Sequence, residues 1–290
     1  MTTKTGVCMK KRIIILFIIF VSIYFVSFSE ITSGNSSENI PILMYHHLEK
    51  DLNNNVVISP ENFEDQIKSL KDDGYNTITA QQLYDYLNDS IQLPQNPVLI
   101  TFDDGYLSNY EMAYPILKKY KMHAEFFVIA SRILEEGVET SYPNEIPKMK
   151  WDHLREIKDY ITIQSHTWDA HYKLKSSNGN EIAAIYGPAY INGKMENKKE
   201  YEERVKNDFI RSRNLIKEKL GYDPIAISYP FGVTSNDAMN LAKAAGFKLG
   251  FVINNKSVMK VDNQFELSRI TVNGNDSGAD LIKKINKLQQ

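Results

Sequence analysis

The sequence predicts an α/β fold: a parallel sheet, open or closed into a barrel, built from strands that alternate with helices. Two observations carry this. Short apolar runs of buried-strand type recur between amphipathic stretches with helical spacing. The spacing between successive strand-like runs also leaves room for a crossover helix each time. No internal repeat is visible.

The elements follow in order from residue 40. Pro41 to Tyr45 reads as a strand. Pro60 suits a helix start, and Phe63, Ile67 and Leu70 recur at helical spacing, so a helix is expected from Pro60 to Asp73. Tyr75 to Ile78 is a short strand and Ala80 to Leu87 a helix. Pro97 to Phe102 is an unbroken apolar strand, followed by a helix from Asn109 to Tyr120 and a strand from Ala124 to Ile129. A helix from Trp151 to Asp159 precedes a strand from Ile161 to Gln164. Lys198 to Leu220 is a long charged helix. Ile225 to Tyr229 and Lys248 to Ile253 are strands around a helix from Asn236 to Ala245. Glu266 to Val272 is the last strand and Ala279 to Leu288 the last helix. Residues 135–148 and 173–197 break the rhythm. Both are rich in Gly, Asn, Ser and Tyr and read as long loops near the active face.

The N-terminus has a different character. Lys10, Lys11 and Arg12 precede an apolar run from Ile13 to Phe28, interrupted only by Ser22 and Ser27. A positive flank before an apolar core is the layout of a secretory signal or an uncleaved anchor. The run is longer than a typical signal core and shorter than the ~20 residues of a spanning helix. Residues 1–32 are therefore expected to be a signal peptide or N-terminal membrane anchor, residues 33–39 a polar linker, and residues 40–290 one domain. The positive-inside rule places that domain outside the cytoplasm, secreted or anchored to the outer face of the membrane. Cys8, the single cysteine, precedes the apolar run, so it fits neither a disulfide nor a lipoprotein anchor. The net charge of −2 lacks the basic excess of a nucleic-acid binder. The chain is expected to be monomeric.

Two segments carry chemistry. Thr101-Phe102-Asp103-Asp104-Gly105-Tyr106 ends a buried strand, where α/β folds place their active sites. Adjacent carboxylates there can point in different directions and hold different roles. Asp-Asp-Gly is also a good turn sequence, and that alternative stands beside the functional one. Ser165-His166-Thr167-Trp168-Asp169-Ala170-His171 also follows a strand. Two histidines and a carboxylate are a frequent ligand set for a catalytic divalent ion. Zn²⁺ is the default for such a set, and Co²⁺, Ni²⁺ or Mn²⁺ fit similar ligands. His123 and His153, in a helix-to-strand connection and a charged helix, are expected to be structural. A serine hydrolase has no Gly-x-Ser-x-Gly elbow to rest on.

With Ser228-Tyr229-Pro230-Phe231-Gly232 added, these motifs stand in the order found in the polysaccharide deacetylase family (carbohydrate esterase family 4), which the chain resembles from about Ile40 to its end. The resemblance implies a distorted (β/α) barrel with fewer than eight repeats. It implies Asp103 as catalytic base and Asp104, His166 and His171 as metal ligands. Tyr229, followed by Pro230, would hold the oxyanion through its backbone N–H, and Thr167 would stabilise the histidine loop. Trp168 and Tyr106 are candidate walls of a sugar site or plain packing residues.

Two departures matter. The histidines are one residue further apart than is commonest in the family, which resembles the branch acting on poly-β-1,6-N-acetylglucosamine. Ser228 replaces the usual Arg before the Tyr-Pro pair, and the usual late Leu-x-His is missing. Leu267-Ser268-Arg269-Ile270 stands there instead, and no histidine follows His171. That branch has an early Tyr-His pair, matched here by Tyr45-His46. The general acid is therefore assigned to His46, with His47 second. From its family position, Arg269 is expected to orient Asp103 by a charge-assisted hydrogen bond. The implied reaction is metal-dependent removal of N-acetyl groups from an N-acetylglucosamine polymer. The alternatives are peptidoglycan, chitin oligomers or xylan esters as substrate, or an inactive carbohydrate-binding protein at the cell surface.

Overall fold

The computed structural model describes residues 39–50, 52, 54 and 56–289. The apolar N-terminal segment, Cys8 and most of the linker lie outside the described residues. Among the described residues no helix is long and apolar enough to cross a membrane.

Seven parallel strands close into a barrel: β1 (Ile42–Tyr45), β2 (Pro97–Phe102), β3 (Ala124–Val128), β4 (Ile161–Ser165), β5 (Ala226–Ser228), β6 (Leu249–Ile253) and β7 (Leu267–Thr271). Neighbours in sequence are neighbours in space, and the pairing of β7 with β1 through Ile270 and Leu43 shuts the ring. A two-residue strand, Asn76–Thr77, adds to β2 outside the ring. The closed form of the two open alternatives is thus realised, as a distorted (β/α) barrel.

The helices are α1 (Pro60–Asp72), α2 (Ala80–Leu87), α3 (Tyr114–Tyr120), α4 (Trp151–Glu156), α5 (Lys198–Leu220), α6 (Asn236–Ala244) and α7 (Gly278–Leu288). Their starts follow ordinary capping chemistry. Ser59 caps α1 ahead of Pro60, and Thr79, Asn197 and Ser277 form capping boxes with Gln82, Glu200 and Asp280. The expected Asn109–Tyr120 helix opens with a π-helical turn over Asn109–Ala113. The Trp151 helix ends at Glu156, three residues early.

Alternation along the strands sorts the core into layers. Outward residues such as Leu43, Ile100, Phe126 and Ile163 pack with the helices in one cluster. Inward residues Ile42, Leu99, Phe127, Ala226, Phe251 and Leu267 fill the barrel, with Ala80, Leu83 and Tyr86 of α2 in the same cluster. One step further up the same inward face the residues turn polar: Thr101, Ser228 and Arg269. This is the carboxyl end of the barrel.

Residues 173–197, expected to be loop, carry two small hairpins: Lys173–Lys175 with Glu181–Ala183, and Tyr190–Ile191 with Lys194–Met195. His47–Leu48 also pairs with Val57–Ile58. Residues 135–148 run as loop, as expected.

Candidate active site

The register of the strand ends brings the motifs together. β1 and β2 pair through Tyr45 and Phe102, so His46 and Asp103 are each one residue beyond the same rung. β4 ends at Ser165, opposite Ile227 of β5, which sets His166 beside the Ser228–Gly232 stretch. His46, Asp103, Asp104, Tyr106, His166, His171, Phe231 and Gly232 line one cavity of about 270 Å³. Backbone strain gathers at its lining residues and beside them. Asp104, Thr167 and Phe231 have φ of 71°, 72° and 61°, a region that non-glycine residues seldom adopt and that is an outlier for a β-branched Thr. Gly232 is needed where it stands, because a Cβ there would lie 2.2 Å from Ile253 Cγ1.

Asp104, His166 and His171 form a cluster whose ligand atoms all lie within 4.8 Å of one another. Asp104 Oδ1 is buried, has no hydrogen-bond partner among the described residues, and lies 3.5 Å from the Nε2 of each histidine. The tautomer of His166 is fixed by its other nitrogen. Nδ1 lies 2.8 Å from the Ser228 carbonyl, which can only accept, so Nδ1 carries the proton and Nε2 bears a lone pair. Burial pushes His166 down to about 4, which keeps the ring neutral. An acceptor nitrogen and an acceptor oxygen thus face each other across a buried gap with no donor between them. That set suits a divalent cation, which would satisfy the orphaned oxygen and both imidazoles at once.

Asp103 is held differently. Arg269 sends Nη1 to Oδ1 and Nη2 to Oδ2, both at 2.7 Å. Ser228 Oγ lies 3.1 Å from Oδ2 and accepts a 2.7 Å bond from the same Nη2. Burial alone would push the Asp103 carboxyl up. The Arg269 guanidinium, helped by His166 and His46, overrides it and holds the group well below the usual carboxylate range. The missing family Arg next to Tyr229 is therefore met by an Arg from β7, and Ser228 leaves it room. Asp104 is likewise held down against burial, by His166, His171, His46 and Lys148.

His47 also lines the cavity, but both of its ring nitrogens are engaged: Nδ1 lies 2.8 Å from Ser108 Oγ and Nε2 3.5 Å from Glu49. His46 lines the same cavity and helps to hold both aspartate carboxyls down. Tyr106 lines the cavity with Lys148 Nζ 3.6 Å above its ring, which brings residues 135–148 to the site. His123 and His153 are outside it. His123 lies against Thr162 and Glu125, and His153 stacks on Tyr110.

One expectation needs correction. The Tyr229 N–H donates to Phe251 O at 3.1 Å, inside the β5–β6 ladder, so it is not free for an oxyanion. Phe231, two residues on and past Pro230, lies in the cavity wall, and as a first-turn amide its N–H has no carbonyl within the turn to bond. The sequence hint was the proline, which starts such a turn. Thr167 does not use its hydroxyl, which is buried without a partner among the described residues. The loop is tied through Thr167's backbone instead, to Ser165 Oγ and the Ala130 N–H. Trp168 is not in the cavity wall. Its ring lies 3.3 Å from the Arg211 guanidinium of α5, a contact that fits the packing alternative.

Set against known proteins, residues 90–250 match the family described as polysaccharide deacetylase. The chain is 29% identical over 234 residues to the poly-β-1,6-N-acetyl-D-glucosamine N-deacetylase of Staphylococcus aureus, covering 79% of this chain and 72% of that protein. The solved structure of a de-N-acetylase from Aggregatibacter actinomycetemcomitans superposes with a TM-score of 0.75 at 28% identity, covering 85% of this chain and 99% of that one. IcaB from Ammonifex degensii gives 0.68 at 26%, covering 86% and 98%. A matched stretch that runs from the strand before the Asp pair to β6, together with a barrel of the same kind, leaves one conclusion: the chain belongs to the polysaccharide deacetylase family.

Proposed function

We propose that this deacetylase removes N-acetyl groups from an extracellular N-acetylglucosamine polymer, poly-β-1,6-N-acetylglucosamine first, with one divalent ion held by Asp104, His166 and His171. The observation that carries the metal requirement is the pair of acceptors, Asp104 Oδ1 and His166 Nε2, facing each other in a buried gap. The substrate rests on the five-residue histidine spacing, the Tyr45-His46 pair and the named activity of the S. aureus relative. The extracytoplasmic location rests on Lys10 to Arg12 ahead of the apolar run.

Such an ion, when bound, acidifies water and polarises an acyl carbonyl, and Zn²⁺ suits two imidazoles and a carboxylate best. Asp103, kept ionised by Arg269, takes the proton from the attacking water. The Phe231 N–H is the backbone donor placed to stabilise charge on the acyl oxygen. His46 gives a proton to the nitrogen as the C–N bond breaks. The products are acetate and a free amine, which becomes an ammonium group on the polymer.

Acetate release from poly-N-acetylglucosamine, peptidoglycan and chitin oligomers, with and without chelator, tests this reading. The expected result is release from the first polymer, lost with chelator and restored by Zn²⁺. Release that ignores chelator, or that occurs from peptidoglycan alone, overturns it. His46→Ala is expected to lower kcat by roughly 10²- to 10⁴-fold, the range of a lost general acid, with metal content unchanged. Near-full kcat removes His46 from the mechanism.

A further inference from the structure

Both histidines of the cluster stand on one loop, residues 166–171, and its backbone is gripped from behind. Three consecutive amides of this loop are tied on the side of α5. Trp168 N–H donates to Asp208 Oδ1 at 2.9 Å and Asp169 N–H to Asp208 Oδ2 at 2.9 Å. Thr167 N–H donates to Ser165 Oγ at 3.1 Å, and Ser165 Oγ lies 2.7 Å from Ser212 Oγ. Asp208 and Ser212 are four apart on α5, so both ties come from one helix face.

We propose that Asp208 is a positioning residue for metal binding: its carboxylate sets the course of the 166–171 loop and so the placement of His171 relative to His166 and Asp104. The inference rests on the metal reading given above. The chemistry favours a carboxylate at this position. Two consecutive amides pointing the same way need two acceptor oxygens, and a carboxylate has two where an amide side chain has one. The arrangement is costly, because no cation lies within ion-pair distance of Asp208 among the described residues. Burial pushes this carboxyl up to about 6, against the pull of the Asp169 and Trp168 amides. A helix that needed only packing here would place an apolar residue next to Phe209. On the far side, the loop is closed by Ala130 N–H to Thr167 O and Ser131 N–H to Trp168 O, and Arg132 holds Asp169. With α5 fixed in the core through Val205, Phe209 and Ile216, Asp208 transmits that rigidity to the loop.

The test is the Zn²⁺ affinity of the full chain, read by competition with a chromogenic chelator, for wild type, D208N, D208E and S212A. The thermal midpoint of each metal-free protein is measured alongside. The expected result is a Kd raised roughly ten- to hundred-fold in D208N, the usual size for a lost partner behind the ligands, with part of the affinity kept in D208E. A merely structural role would lower the metal-free midpoint and leave the Kd of the folded protein unchanged. If D208N does not fold, D208E carries the test, with a weakened Kd expected because the longer side chain shifts its oxygens away from the Trp168 and Asp169 amides. Wild-type uptake with unchanged affinity in the folded variants overturns the inference alone. A wild-type protein that takes up no Zn²⁺ overturns both the metal reading and this inference.

Discussion

Asp104→Asn is expected to abolish divalent-ion binding and to reduce acetate release by roughly 10³-fold or more, the equivalent of ~4 kcal/mol of lost charge stabilisation. Asparagine is the informative choice for a backbone reason. Asp104 sits at φ 71°, which Asn tolerates and Ala does not, so the amide isolates the loss of charge from a change in the turn. The substitution removes the one negative charge of the set and leaves two imidazoles, His166 held neutral by burial among them. It also offers an N–H₂ group that can fill the gap towards His166 Nε2, at the place a cation would take. The measurement is metal content by elemental analysis, with thermal midpoints at increasing Zn²⁺. A ligand that binds only the folded state adds about 4 kcal/mol at a thousand-fold excess over Kd. Wild type is expected to show that rise and Asp104→Asn none. A variant that keeps stoichiometric metal removes Asp104 from the ligand set.

The fold was legible because parallel strands buried on both faces read as apolar runs, as Pro97–Phe102 does. The caps were written locally too, in Ser59-Pro60 and Thr79. What stayed hidden depended on partners distant in sequence. The two-residue pairing of His47–Leu48 with Val57–Ile58 has too few residues to leave a periodic signal. Residues 173–197 form hairpins from segments that read equally well as loop. At the site, the residue types were visible and their directions were not. Whether Tyr229 offers its N–H to a ligand or to Phe251 is decided by the β5–β6 register, which no local pattern encodes. The surroundings of Trp168 were hidden for the same reason, because they include Arg211, forty-three positions away. Asp208 lies inside a long charged helix where one more acidic residue carries no signal.

The largest stability effect is expected from Arg269→Met. Arg269 is fully buried and bonds both oxygens of Asp103, the Ser228 hydroxyl and, at 3.3 Å, Thr101 Oγ1. Methionine fills part of the volume and removes the charge, leaving a buried carboxylate with Ser228 as its hydrogen-bond donor. Breaking a buried pair from one side typically costs ~3–5 kcal/mol, because the remaining charge is uncompensated. The sign of the pH dependence follows from Asp103. In the wild type its folded pKa lies below the unfolded one, so the pair's contribution is present above the ordinary Asp range and is lost as pH falls through the folded value. Without Arg269, burial is the largest influence and pushes the carboxyl up. The variant then folds best with Asp103 protonated and loses stability as pH rises past the unfolded pKa. The gap in thermal midpoint between wild type and Arg269→Met therefore widens from pH 4 to pH 8. Adding Asp103→Asn to Arg269→Met removes the stranded charge, so the double variant is expected to recover most of the midpoint while staying inactive. Asp103→Asn alone is expected to bind metal and lose turnover. These outcomes separate two functions of one guanidinium: compensating a carboxylate inside the barrel, and keeping that carboxylate ionised at the pH where it must accept a proton. A gap that stays constant across the pH range would mean that Arg269 contributes by packing alone.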